Sequence, residues 1–547
     1  KMTLAQKTTA SRVADIAAGT FYAYGIRHAY GIPGGEVLTL IDALGRVGIR
    51  FLLCRHETPA ASMAAGTSAV TGAPGLLVTT VGPGLANAVN AIADAAQERV
   101  PLIVVSGVVD HDIRHRYTHQ VLDQAALLRG LVKGSFEIEH TGAGATIARA
   151  IELATTPPFG PVHLDLAPGT AKKEAETADG IRTPAHTGRV GAHRDDVAVS
   201  SLAKLLNNAQ RPLVIAGFDA AREGAGTAVQ ALCERLQAPL ITTYKAKGLV
   251  DETLDLCLGG AGLSPLADRS LLKVVRRADL VLLAGYDPIE MRPGWLEPFD
   301  SQQTIVEICT HPYDHAMHRC DHRLIGPIAE SADALVQVVA QGQGRWRQGE
   351  PETARRCLLD AFDSPRDWGP HAVVEVLQDV LHDDAIVTVD SGAHRILLSQ
   401  KFNVRHPLGL LQSAGFCTMG VAVPLAAGAK AAAPDRTIVA IVGDGGLEMG
   451  LGELATLRDE GLNIVVVVIQ DESLALIELK QKNMNYERSG VGLGKTRFED
   501  VAAAFGGHGV RVAARDSFAE ELARATQREQ FSLIVCQVEA SDYVDRI

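Results

Sequence analysis

The eight cysteines of this 547-residue sequence include no Cys-x-x-Cys pair. Cys54, Cys233, Cys257, Cys309, Cys320, Cys357, Cys417 and Cys536 are scattered along the chain. That spread gives no disulfide framework and fits a reducing compartment, with most thiols buried as small apolar side chains. Positive charge is not in excess either. Lys and Arg number 52 against 64 Asp and Glu, a net charge of −12, which argues against nucleic acid as a partner. No apolar run has the length of a membrane span, and Lys1-Met-Thr-Leu has no signal-peptide pattern. The expectation is a cytoplasmic protein with no membrane partner. No short-period repeat is present.

What the sequence has is a regular alternation of buried-strand and helix patterns, over a length that suggests three or four domains. Phe51–Glu57, Gly75–Thr80, Pro101–Gly107 and Gly160–Leu166 read as strands between helices. So do Pro212–Gly217, Leu240–Tyr244, Leu280–Gly285 and Thr304–Ile308 further on. This alternation predicts an α/β protein of three doubly wound parallel-sheet domains. Their expected bounds are 1–168, 198–340 and 369–547, with polar linkers over 169–197 and 341–368. The first and third share one plan, as an old duplication would leave.

The most informative stretch begins at Thr437. Thr437–Val442 is a β-branched run that predicts a buried parallel strand. Gly443-Asp444-Gly445-Gly446 turns the chain, a helix pattern runs from about Glu448 to Glu460, and Asn463–Ile469 is a second buried strand. A helix of roughly 18 Å running back and a strand of roughly 20 Å running forward bring Asp444 and Asp471 to one sheet edge. Glycines there let a backbone approach a phosphate, and a helix N-terminus favours an anion. Two carboxylates beside that turn suit a hard divalent cation. The expectation is a Mg²⁺-bridged diphosphate site; an ordinary βα turn is the plainer alternative.

Gly-Asp-Gly followed 27 residues later by a polar metal ligand resembles the thiamine-diphosphate signature. The signature normally ends in Asn-Asn; this chain has Gln470-Asp471, and some catabolic acetolactate synthases also carry Asp there. The resemblance extends over about residues 10–540 and is to the acetolactate synthase-like family. It implies pyrimidine-binding, central and diphosphate-binding domains, with thiamine diphosphate and Mg²⁺ held by Asp444, Asp471 and the carbonyl of Ser473. By the same resemblance Glu57, which alone reads as a surface carboxylate ending a strand, meets the cofactor's aminopyrimidine. Val81-Gly-Pro-Gly-Leu-Ala-Asn87 matches the pyrimidine-domain core, and Gln120 of Thr118-His-Gln approaches the reacting centre. His119, beside it, is a substrate contact or a packing residue. Val389-Asp-Ser-Gly-Ala-His394 resembles a diphosphate turn, giving Gly392, Ala393 and His394. Gly443, Gly445, Gly446, Leu474, Ala475 and Leu476 line the cofactor in the same way. Met419 props the bent cofactor, and the carbonyl of Cys417 accepts from its amino group; relatives often have Gly where this chain has Cys417.

The implied reaction is decarboxylation of a 2-oxo acid such as pyruvate, then transfer of the acyl carbanion to an acceptor carbonyl. Simple decarboxylases place an acid where this chain has Gly35 and a Glu where it has Ile477. Neither delivers a proton, so ligation is the leading expectation. A 2-oxo acid decarboxylase or C–C lyase, an enzyme resembling carboxyethylarginine synthase and, last, a non-catalytic cofactor-binding homologue are the rivals. Residues 473, 476, 477 and 480 share one helix face, which points Ile477 and Lys480 into the cleft. Lys480 there offers charge to an acceptor carboxylate; a solvated helix face is the plainer reading. The family builds its active site at a subunit interface, so a homodimer or homotetramer is implied. The central domain holds FAD in anabolic relatives and none in catabolic ones, and the sequence leaves FAD open. His311, His315, His318, Cys320 and His322 fit no compact zinc spacing and read as solvated or hydrogen-bonded.

Overall fold

In a computed structural model, the described residues are 11–175, 180–184, 196–313, 315–342, 345–544 and 546–547. The chain start and most of the expected 169–197 linker lie outside them. Before that gap Pro168–Lys172 is a short helix.

Three six-stranded sheets form, and every pairing between neighbours is parallel. The first contains β1 (His28–Gly31), β2 (Arg50–Leu53), β3 (Gly75–Thr79), β4 (Leu102–Gly107), β5 (Ser135–Glu137) and β6 (Val162–Leu166). The second contains β7 (Pro212–Ala216), β8 (Leu240–Thr243), β9 (Cys257–Ala261), β10 (Leu280–Ala284), β11 (Thr304–Cys309) and β12 (His322–Ile325). The third contains β13 (Ile386–Val389), β14 (Leu410–Gln412), β15 (Ile438–Gly443), β16 (Val465–Gln470), β17 (His508–Val512) and β18 (Ser532–Gln537). The orders are β2-β1-β3-β4-β6-β5, β12-β11-β10-β7-β8-β9 and β14-β13-β15-β16-β18-β17. Counted within each sheet, the first and third orders are the same.

Both faces of each sheet need cover, because crossovers between parallel strands put helices on both. In the central sheet successive residues enter opposite cores. Leu213, Ile215, Val281 and Leu283 pack on one side; Val214, Ala216, Leu282 and Ala284 pack on the other. That explains strands written as unbroken apolar runs rather than alternations. The turns after β7 and β10 touch: a Cβ on Gly217 would lie 2.4 Å from the Gly285 carbonyl oxygen.

Packing divides the chain into two compact units. One comprises residues 1–187 with 427–434 and 452–462; the other comprises 188–426, 435–451 and 463–547. The expected helix from Glu448 to Glu460 is instead two, Asp444–Met449 and Glu453–Asp459. Gly450 and Gly452 flank the break, and each weakens a helix interior by about 1 kcal/mol relative to Ala. Glu57 likewise does not end a strand. β2 stops at Leu53, and Glu57 opens the helix Glu57–Thr71, capped by His56 Nδ1 accepting from the Thr58 amide at 3.2 Å. The Arg55 and His56 amides leave the strand pattern because Glu453 Oε1 takes both, at 2.9 and 3.0 Å. Among the described residues no helix is long and apolar enough to cross a membrane.

Candidate active site

In the third sheet the chain runs outward from β13 to β14, then returns to β15 on the other side. Ligands of open α/β sheets bind beyond the strand ends at such a reversal. Asp390 to His394 follow β13, Gly443 to Gly446 follow β15, and Asp471 follows β16. These three strand ends line one cavity of about 300 Å³.

Asp444 is 3% exposed and opens its helix, where a negative charge faces the helix's positive end. Its Oδ1 accepts from the Gly445 amide at 2.9 Å and its Oδ2 from the Glu472 amide at 2.8 Å. Burial holds its carboxyl above the usual range. Asp471 accepts from the Ser473 amide at 3.1 Å. Burial first, then the charge of Asp444, pushes its carboxyl up to about 7. Two buried carboxyls of raised proton affinity, that of Asp471 raised in part by the charge of Asp444, are the donor set a hard cation relieves. No group of three or more His, Cys, Asp or Glu side chains is arranged for a metal among the described residues. A site of two carboxylates and a carbonyl has only two such side chains. Ser473 itself donates its hydroxyl to Glu478, which pairs with Arg488 at 2.9 Å.

Across the cavity, Ser391 Oγ and His394 Nε2 are buried without hydrogen-bond partners among the described residues. Burial, then the charge of Arg395, lowers the His394 imidazole to about 3, so the ring is neutral. Polar atoms kept dry and unpaired are costly unless a ligand meets them. Gly446 keeps the floor open: a Cβ there would lie 2.1 Å from Asp390 Oδ2. Asp390, fully buried, accepts from the amides of Gly420, Val421 and Ala422 at 2.9, 2.8 and 3.4 Å and so fixes the segment after Met419. Cys417 and Met419 line the cavity, with Cys417 in the left-handed region at φ 56°. That conformation suits glycine. Leu474, Ala475 and Leu476 line the cavity, and Ile477 and Lys480 lie on exposed turns of the helix Ala475–Asn483 at its rim. Gly392 and Ala393 also line it.

The remaining expected residues belong to the first unit, where they cluster at the carboxyl edge of the first sheet. Glu57 is 5% exposed, and its Oε2 accepts from Asn87 Nδ2 at 3.0 Å. The Gly82-Pro83-Gly84 turn passes between Glu57 and Gln120: a Cβ on Gly84 would lie 3.4 Å from Glu57 Oε1, and one on Gly82 2.4 Å from the Gln120 carbonyl oxygen. Gln120 has φ 58° and is exposed, as is His119, whose ring meets Tyr117 edge-on. Gly35 is open, with nothing within 4 Å of an added Cβ. Its neighbour Glu36 accepts from Thr80 Oγ1 at 2.7 Å.

Sequence reasoning missed four contributors. Asn87 ends a motif it singled out, yet nothing in the pattern aims its amide at Glu57. Gln124, 2% exposed, donates to Asp165 at 2.7 Å and accepts from the Gly82 amide at 2.9 Å, tying the Gln120 turn to the sheet. Arg292 and Arg395 also line the cavity. In the histidine group of the second sheet, His315 accepts from the Met317 amide at 3.1 Å and His318 Nδ1 meets the Arg319 carbonyl at 3.0 Å.

Comparison with known proteins agrees with this geometry. Residues 11–127 match the N-terminal TPP binding domain of thiamine pyrophosphate enzymes, 199–335 the central domain and 390–536 the C-terminal TPP binding domain. An acetolactate synthase of Bacillus subtilis (strain 168) is 30% identical, covering 100% of this chain and 96% of its own length. The acetolactate synthase large subunit of Parasynechococcus marenigrum (strain WH8102) is 30% identical over 92% of this chain and 84% of its own. The isozyme 1 large subunit of Escherichia coli (strain K12) is 29% identical over 88% and 86%.

Proposed function

This chain belongs to the acetolactate synthase-like family of thiamine-diphosphate-dependent enzymes, and from that premise we propose a Mg²⁺-dependent carboligase. It decarboxylates a 2-oxo acid such as pyruvate and transfers the acyl unit to an acceptor carbonyl. The observation that carries this reading is the pair Asp444 and Asp471, set at adjacent strand ends facing the unpartnered Ser391 Oγ and His394 Nε2. In this proposal Asp444, Asp471 and the Ser473 carbonyl hold Mg²⁺. Gly392, Ala393, His394 and Gly443 to Gly446 receive the diphosphate, while Cys417, Met419 and Leu474 to Leu476 flank the rest of the cofactor. When bound, thiamine diphosphate supplies the nucleophilic carbon and the electron sink that decarboxylation needs.

The chain's own groups do the remainder. Glu57, oriented by Asn87, carries a proton on its carboxyl toward the cofactor's pyrimidine ring. Gln120 orients substrate from the turn that Gln124 anchors, with His119 beside it. Lys480 meets the acceptor carboxylate, and Ile477 keeps that end apolar. Glu57 and Asp444 of different subunits complete one site, so the working form is a homodimer or homotetramer, in the cytoplasm. The pyrimidine-binding, central and diphosphate-binding domains span 1–168, 198–340 and 369–547. No role is proposed for FAD.

Ligation is favoured over simple decarboxylation because the reacting end lacks a free acid. Gly35 and Ile477 carry no proton, and the nearby Glu36 is held by Thr80. The test is incubation with pyruvate, thiamine diphosphate and Mg²⁺, with CO₂ and products followed by mass spectrometry. Cofactor-dependent CO₂ and a carbon–carbon ligated product are expected. Release of free aldehyde alone would overturn the ligation step, and no CO₂ from any 2-oxo acid would overturn the whole reading.

A further inference from the structure

Two charged side chains of the cavity have no task in that assignment. Arg395, in the helix Ala393–Lys401, is 3% exposed. One of its Nη atoms donates to the Ser413 carbonyl, the other lies 3.5 Å from Cys417 Sγ, and among the described residues Nε has no partner. Arg292, which follows β10, reaches the same sulfur, with Nη2 also at 3.5 Å. Among the described residues neither arginine forms an ion pair. Two guanidinium groups therefore converge on one small side chain, one of them dry and incompletely bonded; the charge of Arg395 is felt by the buried Asp390 carboxyl, which burial holds up at about 6 and which forms no ion pair with it. Such an arrangement is costly on its own. Burial raises the proton affinity of the Cys417 thiol, yet the two guanidinium groups outweigh burial and hold it below the ordinary range. The electrostatic field at that sulfur favours an anion.

We propose that Arg292 and Arg395 clamp a second acidic group on the donor, so that the donor class is a 2-oxo acid with an acidic group at its far end. This rests on the decarboxylating reading of the cavity given above. The donor's own 1-carboxylate leaves as CO₂. A cation gripping it would stabilise the starting state more than the transition state and slow the reaction. Cations kept at the reacting end therefore serve a group that the donor retains. The acceptor carboxylate already has Lys480. A planar guanidinium fork suits a carboxylate, and a phosphonate or sulfonate presents the same kind of oxygen edge.

The experiment titrates holoenzyme, loaded with thiamine diphosphate and Mg²⁺, with glutarate and with pentanoate by calorimetry. Glutarate should bind at least about 10-fold more tightly, the size of one charge-assisted contact. Arg292→Met should bring that ratio close to one, and Arg292→Lys should restore part of it. In parallel, the ratio of kcat/KM for CO₂ release from 2-oxoglutarate against 2-oxopentanoate should fall in Arg292→Met. A phosphonate-bearing 2-oxo acid, run beside 2-oxoglutarate, identifies which acid the clamp prefers. Equal binding of glutarate and pentanoate overturns the clamp, as does an unchanged ratio in Arg292→Met. Glutarate binding only before the cofactor is added also overturns it, because the arginines then serve the cofactor. CO₂ release from monocarboxylate donors without any binding preference sinks the clamp and leaves the proposed function standing. Selective glutarate binding with no CO₂ from any 2-oxo acid leaves the clamp and sinks that function.

Discussion

Asn87 Nδ2 donates to Glu57 Oε2 at 3.0 Å, and this bond holds the buried carboxyl at the mouth of the Gly82-Pro83-Gly84 turn. Because the amide occupies one oxygen, it orients the carboxyl. Glu57→Gln should keep the fold and cofactor affinity while lowering kcat by about 10²- to 10⁴-fold, the usual reach of a positioned acid–base group. Asn87→Leu should lower kcat by about 10-fold with a smaller change in KM, since it misplaces the carboxyl without removing it. Steady-state kinetics with cofactor titration checks both; wild-type kcat in Glu57→Gln would remove that residue from the chemistry.

The paired carboxylates should show opposite effects with and without ligands. Asp471→Asn removes one of two like charges at the strand ends, so the cofactor-free protein should gain about 1 kcal/mol or a few degrees in Tm. The same change should weaken Mg²⁺ and thiamine diphosphate binding at least about 10-fold, as should Asp444→Ala. Thermal unfolding and calorimetry of the two forms are the measurements. A variant that loses Tm in the free form and binds cofactor normally would refute the metal assignment.

Asp390 gives a pH prediction. Burial pushes its carboxyl from 3.8 to about 6, against three amide donors that pull the other way. The folded protein therefore binds that proton more tightly than the unfolded chain. This stabilising contribution is complete below about pH 4 and lost as pH rises through about 6, a swing of about 3 kcal/mol. The stability of wild type measured against Asp390→Asn should accordingly fall as pH rises from 4 to 7. Urea unfolding of both proteins at several pH values, without cofactor, measures it; a difference independent of pH would contradict the buried-acid account.

What is legible in the sequence is what is local. Thr437–Val442 and Asn463–Ile469 are apolar runs too short and too β-branched for helices, and the turn between them announces itself by glycine. The sheet edge joining Asp444 to Asp471 follows from a βαβ unit alone. The helix break at Gly450 to Gly452 is less accessible, because the apolar period continues across it and only packing decides where it stops. Arg292 and Arg395 are further from reach. They stand 103 positions apart in the sequence, and no motif marks either as facing Cys417. Glu453 is similar: its two bonds to the Arg55 and His56 amides span almost 400 residues.

Gln124 is an anchor whose loss should be felt in the exposed segment beside it. Its side chain bonds Ser106, Gly107, Asp165 and the Gly82 amide from a buried position. Gln124→Leu keeps the volume roughly and strands those partners, at a cost of about 2 to 4 kcal/mol. Limited proteolysis between Arg114 and Gln120 should speed up with it. Unchanged cleavage would show that the Gln120 turn is held by other means.

Lys480 carries the most specific claim about substrate. It lies on the helix Ala475–Asn483, exposed, at the rim of the cavity that Asp444 and Asp471 also line. Among the described residues it forms no ion pair, although Glu478 two positions earlier is taken by Arg488 at 2.9 Å. A lysine spared from a surface pair and lining a cavity keeps its charge for a ligand. In the proposed ligation the acceptor follows the donor and retains its carboxylate, so its binding should depend on that charge while the donor's does not. Lys480→Met preserves the aliphatic stem and removes only the ammonium. Acceptor KM should rise about 10-fold, the value of one partly exposed charge contact. Cofactor affinity and the single-turnover rate of CO₂ release should stay within about twofold, since exposed substitutions away from packing are usually mild. Raising salt should narrow the gap between mutant and wild type, because an exposed charge is screened. If the acceptor saturation curves of the two proteins superimpose at low salt, Lys480 belongs to the solvated surface and not to the acceptor site.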